Sequence, residues 1–150
     1  MSDLRTKAFR LWFKVSRAMT LGVRGVVEDE AGRVLLVRHT YTPGLHFPGG
    51  GVEAAEPAQT ALQRELQEEA GVGVTAPPDL HNVYSNHASF RNDHVLLYRV
   101  RAWRPVTAVD GGEIDEIVWI DASAPPQETS AGTVRRLNEL YRGAAVSDFW

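Results

Sequence analysis

The sequence predicts an α+β domain, on three observations. Extended apolar runs bounded by Gly, Pro or Asp recur at 21–27, 33–38, 80–86, 94–103 and 113–120. One central helix is marked at both ends, with Glu56 and Pro57 at its entrance and Gly71 just past its exit. Further helical periodicities open and close the chain. Strands and helices mixed in this way indicate an α+β architecture, and 150 residues, 43% hydrophobic and 23% charged, suffice for one domain with a sizeable core.

In chain order, Leu4, Ala8, Leu11, Trp12 and Val15 share one helical stripe, bordered by Phe9 and Phe13 and surrounded by Arg5, Lys7, Arg10, Lys14 and Arg17. This basic amphipathic helix is assigned to residues 1–19 and the domain proper to 20–150. Packing on its own domain or a homodimer contact is the expected use; an anionic membrane surface and a partner protein are the alternatives. The run 21–27 reads as a strand, 29–32 as a turn, and 33–38 as the partner strand of a β-hairpin. Residues 39–46, with Pro43 and Gly44, form a loop toward the central helix. Arg24, Arg38, Tyr41 and His46 are the candidate substrate-binding residues, because arginine grips phosphate bidentately and a tyrosine ring offers a stacking face.

Beyond the central helix, 72–75 is short and extended, and Pro77-Pro78 stops it. Residues 80–86 and 94–103 read as two strands with a polar connection at 85–93. His81, His87 and His94 raise the question of zinc, but no cysteine or close His pair supplies the ligand spacing. Asn86, His87, Arg91 and Asp93 are possible loop contacts without a motif behind them. A loop at 106–112 leads into a strand at 113–120 with an acidic entrance. A final helix, capped by Thr129 or Ser130, should run to about Tyr141, burying Val134, Leu137 and Tyr141 and exposing Arg135, Arg136 and Glu139.

The central helix carries the chemistry. Ala58, Ala61, Leu62 and Leu66 face a core, while Glu65, Glu68 and Glu69 project at i, i+3 and i+4. Like charges so spaced destabilise a helix by roughly 0.2–0.5 kcal/mol per pair, and Arg64 offsets only part of that. A solvated acidic face is the plain reading; a hard divalent ion that takes carboxylate oxygens and is completed by water and phosphates is the functional one.

The surroundings favour the second. Gly50, Glu56, Arg64-Glu65-Leu66, Glu68-Glu69 and Gly71-Val72, with the approach His46-Phe47-Pro48-Gly49-Gly50-Gly51-Val52-Glu53, resemble the Nudix box at every fixed position. A chance match in a chain this long is on the order of one in a million. The resemblance implies a mixed β-sheet sandwiched between α-helices, with the box as loop, helix and loop at the catalytic edge. It implies hydrolysis of the diphosphate linkage of a nucleoside diphosphate derivative by attack of a metal-activated water at phosphorus. Mg²⁺ is the implied cofactor, with Mn²⁺ as a substitute. Metal ligands would be Glu65, Glu68 and Glu69 with the Gly49 carbonyl. Catalytic residues would be Glu68, Glu69, Arg64 and Glu113, with Arg64 orienting the glutamates and Glu69, Glu68 or Glu113 taking the proton. Glu116 is the reserve for Glu113, and Glu56 closes the loop structurally.

A nucleotide sugar, a dinucleotide and a nucleoside triphosphate all stay open as substrate. The upstream signature of coenzyme A members is missing, Pro77 and Pro78 come too early for the ADP-ribose marker, and Phe90 stands where dinucleoside polyphosphate members place a tyrosine. The rival reading is a regulatory module that binds nucleotide without turnover; such relatives lose box glutamates, and here all are present. Sixteen Lys and Arg against nineteen Asp and Glu, net −3, suggest no nucleic-acid polymer as partner. The absence of cysteine and of any apolar run of about 18 residues leads to a cytoplasmic expectation with no membrane span, a membrane partner being the less favoured use of the N-terminal helix.

Overall fold

The computed structural model describes residues 2–109 and 111–150, with side chains from Arg5 onward; Leu4 of the helical stripe therefore lies outside the described side chains. The elements are α1 (Ser2–Ser16), β1 (Thr20–Val27), β2 (Val34–His39), β3 (Leu45–His46), α2 (Ala58–Ala70), β4 (Val72–Val74), β5 (Asp79–Ser85), β6 (Asp93–Val100), β7 (Trp103–Pro105), β8 (Ile114–Ile120) and α3 (Ala131–Tyr141). The strands form three small sheets, ordered β1-β6-β5, β3-β2-β8 and β4-β7. The β1–β6 ladder is parallel and the other ladders are antiparallel. The architecture is α+β, as expected.

Alternation along the strands divides the interior in two. Val23 and Val27 of β1, Leu35 and Val37 of β2, and Tyr98 and Val100 of β6 pack with Ala61, Leu62 and Leu66 of α2. The alternate residues Val26, Val34, Leu36 and Leu97 pack instead with Phe47, Tyr84 and Leu137 of α3. A period of two sends neighbouring residues to opposite faces, so one layer of strands feeds both cores.

Three local expectations need correction. β1 and β2 are not a hairpin: β1 runs beside β6, from Thr20↔Asp93 to Val27↔Val100, and β2 pairs with β8. Only the turn and one antiparallel bridge, Glu28↔Val34, survive, and the Asp29 carboxylate accepts the Ala31 and Arg33 N–H groups at 3.0 and 2.8 Å. β1 cannot pair with β2 because both its edges are taken, one by β6 and the other by residues 48–52. The run 94–103 also divides, since β6 ends at Val100 and Trp103 starts β7. Finally, α2 begins at Ala58 with Pro57 as its extended N-cap, one residue later than expected, while Gly71 takes the left-handed C-cap at φ 61°.

α3 starts where expected, with the Ser130 hydroxyl accepting the Thr133 N–H. Arg136, however, is 1% exposed rather than on the surface. It bonds Glu139 at 2.6 Å and the Phe149 carbonyl at 2.9 Å, and its guanidinium lies 4.2 Å from the Tyr84 ring centroid. A buried charge needs such partners, and the segment after α3 supplies one. Residues 147–150 lie along β5, with the Ser85 N–H on the Asp148 carbonyl at 2.8 Å and the Trp150 N–H on the Ser85 carbonyl at 3.0 Å.

Candidate active site

Three backbone bonds lay the segment before α2 along β1: Val23 N–H to the Gly50 carbonyl at 2.9 Å, Gly25 N–H to Pro48 at 2.9 Å, and Val52 N–H to Leu21 at 2.8 Å. Gly49 is required by this seam. Its φ is 141°, and a β-carbon there would stand 2.0 Å from the Val23 carbonyl oxygen. At Gly50 the obstacle would be functional, because a β-carbon would come within 2.5 Å of the Glu65 carboxylate. Bare backbone is thus held against the acidic face of α2.

Arg64 organises the solvent side of that face. Its Nε and Nη2 bond the two oxygens of Glu56 at 3.0 and 3.1 Å, its Nη1 reaches Glu65 at 2.7 Å and Glu68 at 3.4 Å, and Nη2 also bonds the Gly51 carbonyl at 3.1 Å. Hydrogen bonding to Glu56 raises the Arg64 pKa further, and the same bonds hold Glu56 below the usual carboxylate range. Glu56 also accepts the Glu53 N–H at 3.0 Å, so it ties the loop to α2.

Glu69 faces the other way. It is 8% exposed and accepts the Gly49 N–H at 2.8 Å. Burial pushes its pKa up to about 7, the Gly49 bond and the Arg24 charge oppose the rise, and Glu65 and Glu113 add to it. His39 Nδ1 stands 3.7 Å from its Oε1. Arg24 donates to the Gly49 carbonyl and, at 3.3 Å, to that of Phe47.

These groups open onto a cleft of about 450 Å³. Of the residues singled out from the sequence, it gathers Arg24, Tyr41, Gly49, Glu65, Glu69 and Glu113. Asn86 and Asp93, bonded to each other at 2.8 Å, lie on its wall together with Phe90. Other residues fall outside the lining. Glu68 has 45% of its side chain exposed beside Arg64. Arg38 is paired with Glu116 at 3.1 Å and Glu128 at 3.4 Å. His46 turns Nε2 to the Pro43 carbonyl at 2.9 Å, lines an adjacent pocket of about 310 Å³, and has its pKa lowered by burial. A larger depression, about 890 Å³, lies between the β1–β2 turn and β7, away from the α2 glutamates. The smaller cleft is therefore the candidate.

Of the wall residues that the sequence did not single out, His39 and Trp150 matter most. His39 is the last residue of β2, at a break in register with β8, and is 7% exposed; a polar residue closing an apolar strand was its only signal. Trp150 lines both the cleft and the adjacent pocket, with its ring 5.5 Å from Tyr84. Nothing in the sequence ties it to a site some 80 residues earlier.

The donor set fits a hard divalent ion. Glu65, Glu69 and Glu113 line one cleft with Gly49, Gly50 and Gly51, so the cleft offers oxygen donors beside a backbone without β-carbons. Among the described residues no three His, Asp or Glu side chains stand together closely enough to hold an ion by themselves. Water and substrate phosphates would have to complete the shell, which is the usual habit of Mg²⁺.

Known proteins resemble this chain in sequence and in fold. The family model described as NUDIX domain matches residues 18–139. An "8-oxo-dGTP diphosphatase" of Haemophilus influenzae is 29% identical over 126 residues, covering 78% of this chain and 90% of that protein. A "MutT-like protein" of Streptomyces ambofaciens is 37% identical over 122 residues, covering 81% and 71%. Among solved structures, the MutT NUDIX hydrolase from Burkholderia pseudomallei superposes with a TM-score of 0.70 at 22% identity, over 82% of this chain and 98% of that one.

Proposed function

We propose, from the premise that the chain belongs to the Nudix family and is a Nudix-type pyrophosphohydrolase, that its substrate is a nucleoside triphosphate, with oxidised purine nucleotides first in line, and that it works with Mg²⁺, or Mn²⁺ in its place. One observation carries the reading: carboxylates of Glu65, Glu69 and Glu113, the Gly49–Gly51 backbone and Arg24 line one cleft whose wall includes the rings of Tyr41 and Phe90. Polyphosphate and base need these two kinds of surface. The choice of a triphosphate over a nucleotide sugar or dinucleotide follows the names of the relatives, including a "Putative 8-oxo-dGTP diphosphatase" of Bacillus subtilis at 26% identity over 125 residues.

A bound divalent ion neutralises phosphate oxygens and lowers the pKa of water. Glu65 and Glu69 would hold it, with Glu68 joining from the rim and the Gly49 carbonyl available once Arg24 lets go. Arg24 then turns to the phosphates, where a guanidinium binds two oxygens at once. Water adds to one phosphorus, the bond to the bridging oxygen breaks, and the leaving group, nucleotide or pyrophosphate, keeps the electron pair on that oxygen. The water proton passes to a cleft carboxylate, with Glu113 and Glu69 both in the lining. Arg64 positions Glu65 and Glu68 through the bonds that also fix it to Glu56.

Release of pyrophosphate, phosphate and nucleotide from 8-oxo-dGTP, dGTP, nucleotide sugars and dinucleotides, with Mg²⁺ or Mn²⁺ and beside Glu69→Gln, tests this. Triphosphate hydrolysis that a chelator stops, and that falls by orders of magnitude in the variant, is the expected result. Preference for a sugar or dinucleotide would overturn the substrate, and nucleotide binding with no turnover anywhere would restore the regulatory module.

A further inference from the structure

α1 leaves its apolar side uncovered. Residues 5–20 are all exposed, and Phe9, Leu11, Trp12 and Val15 stand at 61%, 66%, 63% and 71%, with Met19 just beyond at 63%. Phe9 touches Trp12 and Phe13 at ring-centroid distances of 6.1 and 5.9 Å, so the three form an aromatic cluster on the outside of the molecule. Along another face Lys7, Arg10, Lys14 and Arg17 recur at steps of three and four residues. The Arg17 guanidinium lies 4.5 Å from the Phe13 ring centroid, at the join between the basic and aromatic faces. A contiguous apolar surface of this kind needs a cover.

We propose that α1 is an interfacial anchor that lies in the plane of an anionic lipid surface, with Phe9, Leu11, Trp12 and Val15 among the headgroups. Charge distribution decides for this occupant. Residues 1–19 hold five of the sixteen cations and one of the nineteen acids, which leaves eleven cations and eighteen acids, a net of −7, on residues 20–150. An anionic surface repels that body and attracts the helix, so approach is through α1 alone. The body's own charge would favour folding α1 back onto it, yet residues 5–20 are exposed throughout. A second copy meets two obstacles. The two bodies repel, and a helix of 15 residues, about 22 Å long, offers on one face less than the roughly 800 Å² per partner of a stable interface. Lipid requires no matching surface, and Trp, Phe and Leu opposite Lys and Arg are what an in-plane helix uses.

The placement has a consequence for the cleft. α1 leads into Thr20 and Leu21, both in the cleft lining, so anchoring sets the cleft beside the lipid surface.

Flotation of the full chain with vesicles of phosphatidylcholine, alone or with about a third phosphatidylserine, tests the proposal. Binding to the anionic vesicles only, weakened at about 0.5 M salt, is expected. Arg10→Glu with Lys14→Glu, and separately Trp12→Glu, should each lower the bound fraction by more than about tenfold, while circular dichroism and nucleotide hydrolysis in free solution stay unchanged. Failure of the full chain to float with anionic vesicles overturns the proposal, as does undiminished binding by the charge-reversed variant. A sedimentation mass of two chains that Trp12→Glu reduces to one, without vesicle binding, would assign the face to a second copy instead.

Discussion

Gly50→Ala should separate the site from the fold. The added β-carbon would stand 2.5 Å from the Glu65 carboxylate. Ordinary contact begins near 3.4 Å, so that carboxylate must move by about 1 Å, and misplacements of that size cost about a hundredfold in rate. The obstacle is the far end of a flexible side chain, so stability should change by less than about 1 kcal/mol. Gly49→Ala makes the contrast. There the new carbon meets the Val23 carbonyl oxygen at 2.0 Å, on a residue at φ 141°. The seam must open, at about 1–3 kcal/mol for the strained backbone and about 1 kcal/mol for each of three backbone bonds. Urea unfolding and kcat/KM, measured on both variants, give the comparison. The expected pattern is a stable, slow Gly50→Ala and a Gly49→Ala weakened by about 4–6 kcal/mol. A Gly50→Ala enzyme within about threefold of wild type would break the link between Glu65 and the reaction.

Other sites give independent tests. Arg136→Leu leaves Glu139, whose side chain is 3% exposed, facing the Tyr84 hydroxyl and the Ser147 N–H without its cation; urea unfolding should show a loss of about 3–5 kcal/mol, and a loss below about 1 kcal/mol would mean that the pair is not needed. Glu28 accepts from Arg99 at 2.7 Å and from the Tyr141 hydroxyl. Burial alone would raise its pKa, but the Tyr141 and Arg99 bonds carry it below the ordinary value. A depressed carboxyl stabilises the fold above its unfolded pKa and loses that contribution as pH falls through the folded one. Glu28→Gln should therefore flatten the decline in urea midpoint below about pH 5, and an unchanged slope there counts against the linkage. Trp150→Ala removes a ring from the cleft wall and should raise KM with kcat nearly unchanged; the reverse split would place Trp150 in the chemistry.

Local signals were the legible part. Gly71 needs only its own φ of 61° to end α2, and Ser130 needs only the Thr133 N–H to start α3, so both ends could be read from neighbouring residues. Partnership was not legible, because pairing is decided by which edges are free. The Asp29 turn correctly predicts a reversal after β1, yet β1 takes its neighbours from residues 93–100 and 48–52. Arg136 looked solvent-facing because its cover comes from residues beyond α3, outside any helical pattern.

The glutamates show the limit of periodicity most directly. Residues at i, i+3 and i+4 read as one patch, but at 100° per residue Glu69 lies about 40° to one side of Glu65 and Glu68 about 60° to the other. A surface pressing on α2 from one direction can face two of the three. The Gly49–Gly51 segment comes from the side of Glu65 and Glu69: the first carboxylate lies against Gly50, and the second accepts the Gly49 N–H. Glu68 is left at the rim with Arg64 at 3.4 Å. The sense of that rotation is set by the β1 seam, which holds Gly49 in place, so the division into inner and outer glutamates follows from a strand some 40 residues before them.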